Sequence, residues 1–283
     1  MNLKSFESLI KTERSATRYI NRSCWKNYRR FCIRCDGRKI YALRHQRYRC
    51  KRCGYEFSDW TGRWIGQLRI SAKPWLWLLK LFELEVSALK ACHPSGLSYP
   101  TVLKAFTVIR KAIVAQSKDA ALLLRGEIET DETYFGGRRK GNRGWGAARK
   151  VPVFGILERG GGVKVEVVPN VDAETLMNLT VKRVRWGSLL YTDKFRSDDA
   201  LMCCGYRHLR VDHRKRFSSG KLYINSLEGF WAYAKERLIK HHGVSQKHFP
   251  LYLKEMEFRY NYRHEPLFDL LLNLITKPVA NLL

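Results

Sequence analysis

The spacing of apolar residues predicts helices in the stretch from residue 73 to 114. Residues 73–84 open with Pro74, which suits a first helical turn, and then run apolar at helical spacing, so we expect a buried helix. A break at 94–96 precedes a second helix with Ser98 as its N-cap and Pro100 in its first turn. Two helices joined by a glycine-containing turn are typical of a helix-turn-helix DNA-binding unit, although any helical hairpin gives this pattern.

From residue 127 onward the pattern alternates between strands and helices. Alternating or β-branched runs predict strands over 127–135, 151–158, 163–168, 188–192 and 206–211. Helices are expected over 172–185, near 197–204 and from 225, where the apolar face would hold Leu227, Phe230, Trp231, Ala234 and Leu238. This order predicts an α/β domain with a mixed sheet.

Four cysteines in two pairs mark the first part of the chain. The pairs Cys32/Cys35 and Cys50/Cys53 each have two residues between the thiols, and glycines at 37 and 54 suit the positive-φ turns of such knuckles. Residues 39–43 and 46–49 predict a short hairpin between the pairs. We therefore predict a four-cysteine zinc ribbon with a structural Zn²⁺, the alternative being reduced cysteines without metal. The unpaired cysteines are expected to be apolar fillers: Cys24, Cys92, Cys203 and Cys204.

The charge balance of the chain indicates a polyanionic partner. The 283 residues include 53 Lys+Arg and 26 Asp+Glu, a formal net charge of +27. Such a surplus favours nucleic acid or an anionic membrane surface. The best candidate for a membrane span, residues 75–89, is interrupted by charged residues, so we expect no span, and the N-terminus does not suggest secretion. An intracellular location also favours free or metal-bound thiols over disulfides.

Three carboxylates occur where an α/β sheet would bring them together. Asp131 lies on the first predicted strand, Asp193 follows the fourth, and Glu228 lies on a later helix, an arrangement expected in a ribonuclease-H-like sheet. Three such oxygen ligands suit Mg²⁺, and two ions about 3.5–4 Å apart support in-line displacement at phosphorus. Taken alone, Asp193 could cap a helix and Glu228 could be a solvated helix residue. Glu129 and Glu132 are alternative candidates to Asp131 for the first metal-binding carboxylate.

Five segments resemble the landmark motifs of a family of bacterial insertion-sequence transposases, which are DDE enzymes with an N-terminal zinc ribbon. The similarity covers about residues 10–264 and rests on residues 131–137, 191–193, 208–213, 225–235 and 258–263, in addition to the four cysteines. The resemblance implies that Asp131, Asp193 and Glu228 bind Mg²⁺ or Mn²⁺ and that Lys235 lies near donor DNA. Family members differ between Glu and Asn at the third position, where Asn225 is a neighbouring candidate. The roles of the matching His208 and His213 stay open.

A basic loop follows the first carboxylate. Residues 138–150 hold six basic residues and no acidic one. A solvated loop is the alternative, but its position favours phosphate contact and stacking beside the active site, with these residues as candidates: Arg138, Arg139, Lys140, Arg143 and Trp145.

The expected organisation is multidomain. It comprises an N-terminal helix and zinc ribbon at 1–70, a helix-turn-helix-like segment at 71–125, a ribonuclease-H-like domain at 126–265 and an apolar tail at 266–283. The expected function is DNA transposition: the protein would bind terminal inverted repeats, cleave element ends and join them to target DNA, as a dimer or larger assembly in the bacterial cytoplasm at the nucleoid. The alternatives are a non-catalytic zinc DNA-binding protein and a metal-dependent nuclease that does not join ends.

Overall fold

A computed structural model describes residues 3–25, 29–119, 123–136, 150–193, 205–211, 225–241 and 243–279. The chain forms two compact units. Unit 1 combines residues 1–116 with residues 264–283, and unit 2 contains residues 117–263.

Helices and strands are numbered in chain order. The helices are α1 (Leu3–Leu9), α2 (Glu13–Cys24), α3 (Ala72–Glu83), α4 (Ala88–Ser95), α5 (Tyr99–Asp119), α6 (Ala173–Arg183), α7 (Asn225–Ile239), α8 (Phe249–Asn261) and α9 (Leu267–Thr276). The strands are β1 (Ile40–Ala42), β2 (Arg47–Cys50), β3 (Glu56–Ser58), β4 (Glu127–Phe135), β5 (Val151–Glu158), β6 (Val163–Val167), β7 (Leu189–Asp193) and β8 (Arg207–Val211).

The core of unit 1 is helical and includes the C-terminal segment. Helix α3 is almost wholly buried, as its continuous apolar run predicts, and Trp75 has no exposed surface. Helix α9 packs with α2 and α3. Its Phe268 is fully buried against Phe6, and its Asp269 accepts a hydrogen bond of 3.0 Å from the Tyr19 hydroxyl. The apolar tail, whose partner the sequence left open, is therefore part of the core of unit 1.

A three-stranded antiparallel sheet, in the order β1-β2-β3, forms the ribbon of unit 1. Strands β1 and β2 are the predicted hairpin. Strand β3 was not expected from the sequence, and it buries Phe57 against Tyr48 and Trp25. The segment predicted to be helix-turn-helix-like, residues 71–125, contains three helices, α3, α4 and α5, and Gly96 at φ 66° is the left-handed residue that ends α4.

Unit 2 is built on a five-stranded mixed sheet in the order β6-β5-β4-β7-β8. Strands β4, β5 and β6 form an antiparallel meander, whereas β7 runs parallel to β4 and β8 runs parallel to β7. A central first strand, flanked by its own meander on one side and by parallel strands on the other, is the ribonuclease-H-like topology. The predicted α/β domain with a mixed sheet is confirmed.

Helices cover both faces of this sheet. On one face, α7 and α8 bury a core that includes Val153, Val165, Phe230 and Met256. On the other, α6 packs on a core that includes Ile128 and other strand residues. Helix α6 begins at the predicted N-cap, Asp172, whose carboxylate accepts from the Thr175 N–H at 2.7 Å. The helix expected near 197–204 lies outside the described residues.

Candidate active site and zinc site

The four predicted cysteines converge at one point of the ribbon. Their sulfur atoms all lie within 4.8 Å of one another, and the Cys32–Cys53 and Cys35–Cys50 Sγ distances are both 3.6 Å. Tetrahedral Zn²⁺ with Zn–S bonds of about 2.3 Å places its sulfurs about 3.8 Å apart, so the donor set fits this ion. Because four thiolates complete the coordination shell, a zinc ion held here would be structural.

The first cysteine knuckle differs from the prediction in which residue makes the turn. Asp36, not Gly37, adopts the positive φ of 56°, and Gly54 supplies the expected one of 72° in the second knuckle. Gly37 instead lies in a confined position, because a Cβ atom there would be 3.0 Å from the Cys50 Sγ and 3.3 Å from the Cys35 Sγ. The expectation that Gly37 is needed for its backbone freedom is therefore wrong.

The first two candidate carboxylates lie on adjacent central strands. Strands β4 and β7 are parallel, and Glu129 pairs in register with Tyr191. Asp131 and Asp193 each lie two residues beyond that pair, and Asp193 is the last residue of β7. Asp131 is half-buried. The sheet thus brings two residues that are far apart in sequence to the same level.

Asp131 is held from the neighbouring helix. The Trp231 indole Nε1–H on α7 donates a 2.9 Å hydrogen bond to the Asp131 Oδ2. The ring can reach this position because it lies over Gly155, the register partner of Asp131 on β5. A Cβ at Gly155 would lie 2.5 Å from the Trp231 Cζ2, so a side chain there would push the indole away.

Glu129 is buried beside Asp131 and is already paired. Its side chain has no exposed surface, and its Oε1 accepts from the Arg159 Nε at 2.9 Å. Its Oε2 accepts from the backbone N–H of Leu227, in the first turn of α7, also at 2.9 Å. One carboxylate therefore ties β4 to the helix turn that carries Glu228, and such charge-assisted bonds are the stronger kind of protein hydrogen bond.

Arg159, the partner of Glu129, also contacts residues of β4 and β7. It also pairs with Glu127 at 2.8 Å, and its guanidinium lies 3.7 Å from the centre of the Tyr191 ring. The Tyr191 hydroxyl donates to Glu127 at 3.1 Å. Burial alone would lower the pKa of Arg159, but the bonds to Glu129 and Glu127 outweigh it and raise that pKa above its ordinary value. Burial, followed by the bond to Glu127, raises the pKa of Tyr191. Arg159 therefore stays positively charged, and the Tyr191 hydroxyl keeps the proton that it donates to Glu127.

Glu228 and Lys235 both lie on α7 with exposed side chains. Glu228 is in the first turn, next to Leu227, and has no polar side-chain partner within the part of the chain that is described. Lys235 places its Nζ 5.9 Å from the centre of the Phe135 ring, at the end of β4. Both side chains are thus open to solvent on the helix that packs against β4.

His208 lies on the opposite face of the sheet from Asp131. It pairs in register with Leu190, which belongs to the α6-side core, and its Nε2 is 2.8 Å from the Thr192 hydroxyl. Asp131, by contrast, contacts α7. The remaining candidates lie outside the described residues: His213, Arg138, Arg139, Lys140, Arg143 and Trp145.

Sequence reasoning missed three residues of this site. These are Gly155 and the two residues that bond Glu129, Arg159 and Leu227, and their roles become apparent only once β4, β5 and α7 are placed together. The one available signal was a glycine inside a β-branched run, which indicates a close approach by another group. Among the helices described, none is long and apolar enough to span a membrane.

Unit 1 contains a four-cysteine ribbon. Unit 2 contains a ribonuclease-H-like sheet with acidic residues on β4 and β7, and a further acidic residue on the packed helix α7. This combination defines a zinc-ribbon protein of the transposase class. The family comparisons agree with this class: a model described as an ISXO2-like transposase domain matches residues 123–261, and one described as a transposase zinc-ribbon domain matches residues 11–56. The chain belongs to this family of insertion-sequence transposases with an N-terminal zinc ribbon.

Relatives from bacteria and archaea match parts or most of the chain. An uncharacterized transposase-like protein of Haemophilus influenzae is 43% identical over 95 residues, covering 34% of this chain and 77% of that protein. An uncharacterized protein in transposable element ISH50 of Halobacterium salinarum is 26% identical over 92% of this chain and 93% of its own length. Among solved structures, the Mos1 strand transfer complex aligns with a TM-score of 0.30 and 12% identity, covering 72% of this chain and 78% of that one.

Proposed function

We infer that this protein binds the ends of an insertion sequence, cleaves the DNA there and transfers the freed 3′-hydroxyl ends to target DNA. Asp131, Asp193 and Glu228 are the proposed catalytic residues. The observation that carries the proposal is the bond between Glu129 and the Leu227 N–H, because it fixes the first turn of α7, with Glu228, to the strand that holds Asp131.

The donor chemistry of this set suits a hard divalent cation. Asp131 is half-buried and Glu228 is exposed, so an ion can reach both side chains from solvent, and their oxygens are the ligand type that Mg²⁺ prefers. Mg²⁺ or Mn²⁺ bound there would activate the attacking oxygen and stabilise the leaving one. Trp231 holds the Asp131 carboxylate in place, whereas Glu129 is fully buried and bonded on each oxygen, by Arg159 and by the Leu227 N–H, which favours Asp131 over Glu129 as the ligand.

DNA would lie along the exposed side of this carboxylate set. We propose that the exposed Lys235 contacts a donor phosphate and that Arg138, Arg139, Lys140, Arg143 and Trp145 contribute further contacts. Two ends must be joined to one target, so the active form would be at least a dimer on DNA. The four-cysteine cluster would hold Zn²⁺ throughout, with no part in the chemistry.

A strand-transfer assay on labelled element-end DNA with Mg²⁺ tests this proposal. The variants are Asp131→Asn, Asp193→Asn and Glu228→Gln, each of which removes a charge and keeps the shape. The matched control is Glu236→Gln, because Glu236 is another exposed acid of α7, with a side-chain exposure of 79%. We expect loss of both nicked and joined products in the three variants and wild-type levels in the control.

Each other outcome of this assay would point to a different function or a different set of catalytic residues. Nicks without joined products would indicate a nuclease. DNA binding without chemistry that depends on these residues would indicate a binding protein. Equal loss in Glu228→Gln and Glu236→Gln would remove Glu228 from the catalytic set and return attention to Asn225.

A further inference from the structure

Helix α2 exposes a row of three arginines. Arg14, Arg18 and Arg22 recur every four residues and all three are exposed. Residues four apart share a helix face, and at 1.5 Å per residue the row extends about 12 Å. The opposite face buries Ala16, Ile20 and Cys24 in the core of unit 1. The row is therefore fixed in direction by a buried helix face.

These arginines line a cleft that lies wholly within unit 1. The cleft has a volume of about 580 Å³ and is bounded by α2, by Trp25 and Arg30, and by Gln46 and Tyr48 of the ribbon. A cleft of this size with several cations resembles a binding site more than a solvated helix face.

The acidic residues near this cleft are already engaged. Glu13 accepts hydrogen bonds from the Ala72 and Lys73 N–H groups and so caps α3. Asp59 forms a two-bond ion pair with Arg30 at 2.7 and 3.0 Å and accepts from the Trp25 indole. Within the described residues, no acidic side chain pairs with the arginines of the α2 row. The row therefore keeps its positive charge available for a ligand.

The ribbon edge of the cleft has an unusual backbone. His45 and Gln46 are consecutive non-glycine residues with φ values of 56° and 57°. Such conformations concentrate at ligand sites. This conformation brings Gln46, which has an exposed side chain, to the cleft opposite the arginine row.

We propose that this cleft binds the sugar-phosphate backbone of duplex DNA, with Arg14, Arg18 and Arg22 contacting successive phosphates. The inference rests on the proposed DNA-binding function and names a surface for it. A row of arginines at regular spacing suits the regular spacing of phosphates along one strand, and guanidinium groups match phosphate geometry. The surface is distinct from residues 71–125, the segment to which the sequence pattern assigned DNA binding.

The test compares two triple variants of the full-length protein that lose the same charge. One carries Arg14→Gln, Arg18→Gln and Arg22→Gln. The other carries Lys182→Gln, Lys247→Gln and Lys277→Gln, which removes three exposed lysines outside both α2 and the predicted helix-turn-helix-like segment. Binding of a labelled DNA duplex is measured by fluorescence anisotropy over a series of salt concentrations. Zinc content and thermal unfolding establish that both variants fold like the wild type.

We expect the arginine variant to bind at least tenfold more weakly. Log affinity falls as log salt concentration rises, and each lost phosphate contact makes that slope shallower by about 1. The slope of the arginine variant should therefore be shallower by about 3. The lysine variant should keep the wild-type slope. Equal losses in both variants, or loss in the lysine variant alone, would overturn the proposal.

Two further results separate this inference from the proposed function. If the wild type itself did not bind duplex DNA, the proposed function would fail. If the wild type bound and the arginine variant bound equally well, only the cleft assignment would fail. Displacement by duplex RNA as efficient as by duplex DNA would overturn the choice of DNA as the ligand.

Discussion

Glu129 and Asp131 are two carboxylates on one strand with different tasks. Glu129 is fully buried and bonded by Arg159 and by the Leu227 N–H, whereas Asp131 is half-buried and accepts from the Trp231 indole. A buried carboxylate is tolerated only when it is paired, and this one is paired on both oxygens. We therefore assign Glu129 a positioning role and Asp131 the proposed catalytic one.

Glu129→Gln should destabilise unit 2 by about 3–5 kcal/mol, because it leaves the Arg159 charge without its most buried partner. Chemical denaturation measures this change. Glu56→Gln is the control, since the pairs of Glu56 with Arg47 and Arg49 are exposed, and it should cost less than about 1 kcal/mol. In the double variant Glu129→Gln with Arg159→Gln, the cost should be smaller than the sum of the two single costs. Additive costs would argue against coupling between the two residues.

The close approach of α7 to the sheet depends on a strand residue without a side chain. Trp231 lies over Gly155, and this contact lets its indole reach Asp131. The helix can therefore be placed correctly only if β5 has glycine at that point.

Gly155→Ala should shift Trp231 and weaken its bond to Asp131. Overpacking of this kind costs about 1–3 kcal/mol of stability. Misplacing a catalytic group by about 1 Å can lower activity on the order of 100-fold. The control is Gly229→Ala, which lies on α7 and has nothing within 4 Å of the added Cβ. Thermal unfolding and strand transfer measure both effects. Unchanged activity in Gly155→Ala would show that the placement of Trp231 is not critical.

The ribbon should depend on its metal. Removing zinc with a chelator, or replacing the buried Cys50 by Ser, should unfold β1–β3, because this small sheet has little core beyond Phe57 and its neighbours. Circular dichroism together with metal analysis measures the loss. Cys92→Ser is the control, since Cys92 lies on α4 away from the cluster, and it should keep the full zinc content. A folded ribbon without zinc would contradict the expectation.

At the scale of the whole molecule, unit 1 is discontinuous in sequence. Helix α9 returns after unit 2 and buries Phe268, Leu271 and Ile275 in a core that begins with Phe6 of α1. A C-terminal helix thus completes the packing of the N-terminal unit.

Phe268→Ala should destabilise unit 1 by about 3–5 kcal/mol, the usual cost of removing a buried phenyl ring. Hydrogen exchange should then show lost amide protection in α2 and α3, with protection in β4 and β5 unchanged. Ile239→Ala, at a residue that is 67% exposed, is the control and should have little effect. Lost protection across both units would indicate that they unfold together.

The sequence was sufficient for elements with a clear local signal. Regular alternation predicted β4, β-branched runs predicted β5 and β6, and the paired cysteine spacing located the ribbon. Contacts made across long separations had no such signal. Glu129 bonds Leu227 across a sequence separation of 98 residues, and Tyr19 bonds Asp269 across a separation of 250 residues. The same applies to Gly37, whose role depends on the approach of Cys50 to the first knuckle.

The split of unit 1 has a consequence for synthesis on the ribosome. Unit 2 is one continuous segment, so all of its residues are translated before α9. The apolar faces of α2 and α3 that α9 covers stay open until that moment. During translation, the whole of unit 2 is therefore synthesised before unit 1 can complete its core, so the unit that begins the chain is the last to close.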